Sequence, residues 1–360
     1  MMMKRFFLNC ISLFFILLLL SGCSPRYTNI ASLSERDDRL FFGRAAYTGI
    51  VYSEWESGEL RSERFYLNGY PDGLQQEFFP HGELSRLYFF ENRRMQGPYE
   101  EWFSNGEMKI ITSYREGELH GTYEEWYENG ILKIKTEYNS GELHGLYEEW
   151  YDDGTMFLTG FFENGSREGV FDEFNRDGLL VKRENYRNDQ LHGLYEEWFE
   201  SGALRITGSY SDGKREGRFD EFNSDELLVR HLNYQNDQLH GLYEEWFENG
   251  TLSLTGTYAN GEREGVFDEF TREELLIRRA EYSAGKLNGQ TEVWYNNGAM
   301  QSLALYQDGL LHGAYSEWFD NEILKINATY RNGLRHGLFE EWNERGELIR
   351  SVIFSNGVPQ

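Results

Sequence analysis

Residues 49–360 predict an all-β fold, an elongated array of hairpins forming one long twisted antiparallel sheet. Three observations carry this. A 24-residue unit repeats thirteen times with no insertion or deletion. Each copy holds two runs rich in aromatic and β-branched residues, and turn residues of the Asn-Gly kind separate the runs. Such units bury their apolar side only against their neighbours.

Each unit opens on a glycine, from Gly49 in repeat 1 through Gly121 in repeat 4 to Gly337 in repeat 13, and positions are counted from that glycine. In repeat 4, GTYEEWYENGILKIKTEYNSGELH, the runs Thr122 to Tyr127 and Ile131 to Tyr138 flank Glu128-Asn129-Gly130. A three-residue loop with Gly130 in the left-handed region sets Trp126 opposite Leu132. That reading gathers Thr122, Trp126, Leu132, Ile134 and Tyr138 on an apolar side. Tyr123, Glu125, Tyr127, Lys133 and Lys135 then share the other side, and Glu124 falls on the apolar side without a reason. A one-residue error exchanges the faces.

The copies agree with the hairpin. Position 12 is Leu or Met throughout, position 18 is Tyr or Phe throughout, and eight of the nine tryptophans stand at position 6. Trp55 comes one residue late, which predicts a distorted first strand in repeat 1. Repeats 5 to 10 carry a longer period: GLYEEW units at Gly145, Gly193 and Gly241 alternate with GVFDEF or GRFDEF units at Gly169, Gly217 and Gly265. Paired units have evidently been duplicated as 48-residue blocks. Twenty-six strands give a length of about 125 Å, with coiling expected in an open sheet of this size.

Residues 1–22 read as a secretory signal: Lys4 and Arg5 precede the apolar run Leu13 to Leu20, which is too short to span a bilayer. The segment closes on Leu20-Ser21-Gly22-Cys23, which resembles the bacterial lipobox. The resemblance implies a mature chain starting at Cys23 and held in the membrane by acyl chains there, palmitate among them. Ser24 after the cysteine favours the outer membrane, on its surface or periplasmic face. Cys10 leaves with the signal, so no disulfide framework is available. Residues 23–48 match no repeat and read as the lipidated N-terminus and a tether reaching roughly 25–30 Å.

Loss of Lys4 and Arg5 takes the formal charge from −26 to −28. That charge repels phosphate backbones and excludes nucleic acid as a partner, whereas a basic protein partner fits it.

The GxYEEWxxNGxLKxxxxYxNGxxH pattern resembles the bacterial MORN-repeat-variant family over residues 49–360. The resemblance implies the hairpin-array fold and a role as a scaffold or as an antitoxin-like protein. It departs from the eukaryotic repeat, whose proposed lipid contacts rely on basic residues, a role that the net charge of this chain opposes.

Candidate chemistry was sought in the repeated polar positions. His120, His144, His192, His240, His312 and His336 precede unit-opening glycines, but equivalent positions in neighbouring hairpins lie about 10 Å apart, too far to share one metal. A turn-stabilising role is expected instead. The position-5 glutamates, including Glu125, Glu149, Glu197 and Glu245, meet the same objection as a calcium row and are expected in cross-strand ion pairs. No metal, cofactor or catalytic residue is assigned, and no nucleophile elbow or phosphate loop is present. The candidate binding face is the acidic-aromatic one: Tyr99, Tyr123, Tyr127, Tyr147, Tyr151, Tyr195 and Tyr243 with those four glutamates. The expected function is a non-enzymatic envelope lipoprotein, a scaffold or adhesin binding protein through this face. The alternative is an immunity protein that neutralises a toxin.

Overall fold

The computed structural model describes residues 25–360. The signal predicted at 1–22 and the predicted acylation site Cys23 lie outside the described residues. By its internal contacts the chain forms two compact units, Met1–Ser166 and Arg167–Gln360. Among the described residues, apart from one 3₁₀ turn at Ile30–Ser32, the regular structure is β throughout. Within each unit the strands follow one another as antiparallel hairpins in an open sheet, paired in chain order.

Repeat 4 shows how the sequence produces the hairpin. Gly121–Trp126 pairs with Leu132–Asn139, and Trp126 stands opposite Leu132 as the three-residue loop requires. Gly130 takes φ +82°, a conformation that a side chain disfavours. The Tyr127 N–H donates to Ile131 O at 2.8 Å, and the Gly130 N–H donates to Tyr127 O at 2.9 Å. Asn129 serves two turns. Its Oδ1 accepts from the Ile131 N–H at 3.0 Å, while its Nδ2 donates to Asp152 O in the next repeat at 2.7 Å. The second connection is a two-residue turn at Ser140 and Gly141, both with positive φ, and the Gly141 N–H donates back to Leu119 O. Consecutive hairpins are therefore tied through both turns as well as through the strand ladder.

The pairing corrects the predicted faces. Opposite Glu125 stands Ile134, not Lys133, because a β-bulge adds a residue to the second strand at this point. Beyond the bulge the alternation of sides is displaced by one. Tyr123 consequently pairs with Thr136, and Gly121 with Tyr138. Tyr123, Glu125, Ile134, Thr136 and Tyr138 share one side, here the inner face. Thr122, Glu124, Trp126, Leu132 and Lys135 share the other, the outer face. Glu124 now has its reason: it pairs with Lys135 across the strand at 3.1 Å.

The core lies on the inner face. Its most buried members fall at position 3 (Val51, Phe171, Phe219, Phe267, Phe339), position 16 (Thr112, Thr136, Leu232, Ala280, Ala304, Ala328) and position 18 (Tyr186, Phe354). Rings at positions 3 and 18 of one hairpin meet edge to face, as in Tyr123–Tyr138 at 5.7 Å and Phe267–Tyr282 at 5.3 Å. The paired blocks have a packing basis here. Phe219 and Phe267 lie directly over Gly208 and Gly256, where an added Cβ would stand 2.3 and 2.4 Å from the ring.

Two further expectations are corrected. Repeat 1 keeps the ordinary register, with Glu54 opposite Leu60 in the place other repeats give to Trp and Leu. Trp55 occupies position 7, and its indole N–H donates to Phe78 O at 3.2 Å, just as the Tyr127 hydroxyl donates to Trp150 O. Residues 25–48 are not a free tether. Tyr27–Asn29 runs parallel to Gly49–Glu54, a short hairpin follows at Ser34–Arg36 and Arg39–Phe42, and Leu40 and Tyr47 bury themselves against Val51. These residues cap the first repeat and cover a sheet edge that would otherwise present unpaired backbone groups.

Candidate interaction face

The predicted binding residues are brought together in a recurring arrangement, but on the half-buried inner face. At position 3 the hydroxyls of Tyr99, Tyr123 and Tyr147 donate to the position-5 carboxylates Glu101, Glu125 and Glu149 at 2.7, 3.0 and 3.0 Å. Tyr243 makes the same bond to Glu245. Tyr195 lies beside Glu197 in the same relation. Burial, reinforced by the neighbouring carboxylate, raises all five phenols above the ordinary tyrosine value. Tyr127 donates to the Trp150 carbonyl and Tyr151 packs its ring on Phe157 at 5.2 Å.

The glutamates are paired with cations as well. Lys109, Lys133 and Lys325 at position 13 donate to Glu101, Glu125 and Glu317 at 2.6 to 2.7 Å, and Arg205 reaches Glu197. Where position 13 is aliphatic, the cation moves to position 14. Arg230 then lies 3.1 Å from Glu221 and 3.5 Å from Glu245, and Arg278 lies 2.6 Å from Glu269. Burial opposes the charge on Glu101, yet bonds from Lys109 and Tyr99 outweigh it and hold the carboxyl below its usual range. The inner face is thus an internally satisfied lattice of Tyr, Glu and Lys or Arg. The shift of the cation between positions 13 and 14 is visible in the sequence.

Three of the six histidines and the glutamates that replace others stabilise turns, whereas the buried Nδ1 atoms of His120 and His144 have no hydrogen-bond partner. Glu168, Glu216 and Glu264 accept the N–H of Asn188, Asn236 and Ala284, twenty residues ahead, at 2.9 to 3.0 Å. His192, His312 and His336 offer Nδ1 to the corresponding N–H at 3.4 Å. Among the described residues no three His, Cys, Asp or Glu side chains are gathered as metal ligands would be. A shallow groove of about 380 Å³ lies near the turns of repeats 6 and 7, lined by Glu173, Lys182, Glu197, Trp198, Phe199 and Arg205, most of which belong to the inner-face lattice.

The outer face is organised differently, as three stripes that cross the strands. Farthest from the three-residue turns, positions 2 and 17 carry exposed aliphatic and aromatic side chains, Leu146 with Phe161 in one unit, and Val170, Leu194, Leu242, Val266, Leu305, Leu338 and Ile353 in the other, interrupted by polar residues such as Asn185, Arg218, Asn233 and Gln290. Positions 4 and 15 form a charged stripe. Positions 6 and 12 form a stripe of Trp or Phe with Leu or Met. In the charged stripe Asp172 is held by Arg183 at 2.7 and 2.9 Å, Asp268 by Arg279 at 2.8 and 2.7 Å, and Asp220 by His231 and Arg218, both at 2.7 Å. The intervening carboxylates Glu196, Glu244, Glu292 and Glu340 face Thr207, Thr255, Leu303 and Ser351, which bring no charge. Glu100, in the other unit, is raised above the usual carboxylate range by burial alone.

No curated protein matches the chain. Among solved structures it is similar to a TcdB2–TccC3–Cdc42 structure (9% identity, TM-score 0.18, 86% of this chain and 20% of that one). It is similar also to TcdB2–TccC3–TEV (11%, 0.18, 89% and 21%) and to the Photorhabdus luminescens Tc holotoxin pore (12%, 0.17, 85% and 19%). The chain spans about a fifth of the length of each. In sequence, residues 119–140, 143–165, 191–212 and 239–260 match the MORN repeat variant. Those matches fall on repeats 4, 5, 7 and 9, and they support a MORN-type repeat family for the array.

Proposed function

We propose that the chain is a non-enzymatic interaction scaffold of the bacterial envelope, anchored by lipid at Cys23. The observation that carries the scaffold reading is the recurrence, at intervals along the outer face, of position-4 carboxylates, exposed position-2 apolar groups and the Trp or Phe with Leu or Met stripe. Recurrent contact groups suit a long partner surface, whereas catalysis needs one asymmetric cleft. The inner carboxylates Glu101, Glu125, Glu197, Glu245 and Glu317, engaged by tyrosine or a cation, are occupied with holding the sheet together. The anchor rests on the sequence of residues 1–23.

Crosslinking in intact cells followed by affinity capture tests the scaffold. One protein recovered in near-stoichiometric amount is the expected result, and capture no better than from a strain lacking the chain would refute it. Cys23→Ser should move the chain from the membrane to the soluble fraction, and unchanged fractionation would remove the anchor.

A further inference from the structure

We infer that the outer face of Arg167–Gln360 is a docking surface for a basic polypeptide segment whose cations are flanked by apolar side chains. The inference rests on the scaffold reading and names the partner chemistry that reading leaves open.

Three observations carry it. The first is exposure. Leu194, Leu242, Val266 and Leu338 are 45, 42, 44 and 46% exposed. All stand at position 2, where Arg218, Gln290 and Ala314 take the place in repeats 8, 11 and 12, so the apolar side chains recur at intervals along one line of the face.

The second is charge. In repeats 6 and 7 Arg183 lies between Asp172 and Glu196, 3.9 Å from the latter, and in repeats 10 and 11 Arg279 lies between Asp268 and Glu292. These two pairs of hairpins each place two carboxylates on the stripe for one guanidinium, and in repeats 8 and 9 Asp220 and Glu244 share the stripe with His231. The uncompensated charge recurs every four strands, about 19 Å. A partner that supplies cations at that interval completes the pairs.

The third is the order of the stripes. The acidic stripe runs between the exposed apolar row and the Trp–Leu row, two residues or about 7 Å from each along the strand. An occupant must therefore present positive charge with apolar groups on both sides. An anionic lipid surface and a second copy of the same face are repelled by the carboxylates. The inner face gives no such opportunity, because Arg230 and Arg278 already sit on its glutamates.

The test uses the full chain and four probes: peptides of alternating Leu-Lys, Leu-Glu and Ser-Lys, and a β-1,4-linked N-acetylglucosamine hexamer. The Leu-Lys peptide is expected to bind, with affinity falling as salt rises. Combined Glu196→Gln, Glu244→Gln and Glu292→Gln should weaken it about tenfold and flatten the salt dependence. Leu194→Ser with Leu242→Ser should weaken it while leaving the salt dependence intact. Glu248→Gln, at an exposed turn, should change nothing. Circular dichroism checks that each variant remains folded. Three results overturn the inference: Ser-Lys binding as well as Leu-Lys, Leu-Lys binding indifferent to the three glutamine substitutions, or binding of the glycan but not of Leu-Lys. If the partner captured from cells is still captured by the triple glutamine variant, the scaffold stands and this face is not its docking surface.

Discussion

Gly256→Ala adds a single methyl group, and the inner face predicts that it destabilises. The new Cβ would stand 2.4, 2.5 and 2.6 Å from three ring carbons of Phe267, about 1 Å inside ordinary contact. The ring has little room to retreat. It is 1% exposed and is held edge-on between Tyr258 at 5.5 Å and Tyr282 at 5.3 Å. Two effects compete. Replacing a glycine that has ordinary φ gains about 0.4–1 kcal/mol by restricting the unfolded chain. Overpacking a filled core costs about 1–3 kcal/mol. Repeat 12 narrows the range, because Ala328 at the equivalent position packs with the buried ring of Phe339. A seat beside alanine therefore exists once the backbone adjusts, and a net loss of about 1 kcal/mol is expected. Urea unfolding measures it, with hydrogen exchange at residues 254–270 as the local readout, since long arrays need not unfold in one step. The cause is isolated by a double-mutant cycle with Phe267→Leu, which gives the methyl group space. The two substitutions should couple by about 0.5–1 kcal/mol. A Gly256→Ala chain as stable as the parent, or strict additivity in the cycle, would refute the ring-on-glycine account.

Three other outcomes follow from the same geometry. Tyr88 and Tyr186 are pushed up to about 12, chiefly by burial with help from Glu77 and Glu184. The stability they contribute is intact below the ordinary phenol value near 10 and is lost as pH rises through about 12, so tyrosinate absorbance should lag free tyrosine and rise with unfolding. Tyr47→Phe removes a buried hydroxyl that lies 3.0 Å from both Arg26 O and Ile50 O; it should cost about 1–3 kcal/mol locally, seen as faster proteolysis within residues 25–48 with the later repeats still protected. Asn129→Ala cuts the bonds to the Ile131 N–H and to Asp152 O; a loss of about 1–2 kcal/mol should appear as faster exchange at Ile131, and unchanged exchange would mean the side chain is idle.

The hairpin, its three-residue loop and the pairing of Trp126 with Leu132 were legible in sequence, because Asn-Gly and the fixed glycines report directly on backbone conformation. The faces were not. A bulge leaves no mark on composition, yet one extra residue at Lys133 moves Ile134 and Tyr138 to the side of Tyr123. Seen from periodicity alone, Tyr123 and Glu125 look like a solvated recognition surface. In space the tyrosine is core and the glutamate is its hydrogen-bond partner. The cap at 25–48 escaped for a different reason. Its order comes from contacts of Leu40 and Tyr47 with a repeat that follows them, and a short, non-periodic segment carries no internal sign of such contacts. Trp55 misled by one position because an indole and a phenol meet the same carbonyl in different repeats.

The phenylalanine seated on glycine also sets a grammar for how such an array changes length. In repeats 7 to 10 the small residue belongs to one hairpin and the ring to the next, as Gly208 with Phe219 and Gly256 with Phe267. Excising the 24 residues from Gly193 to Glu216 would bring Phe219 against Glu184, which now stands opposite Tyr195, and would take away the glycine on which the Phe219 ring lies. Excising 48 residues restores every match. Length in this region is therefore counted in steps of two. A lineage can lengthen or shorten the surface it offers a partner only in increments that keep ring and glycine in phase.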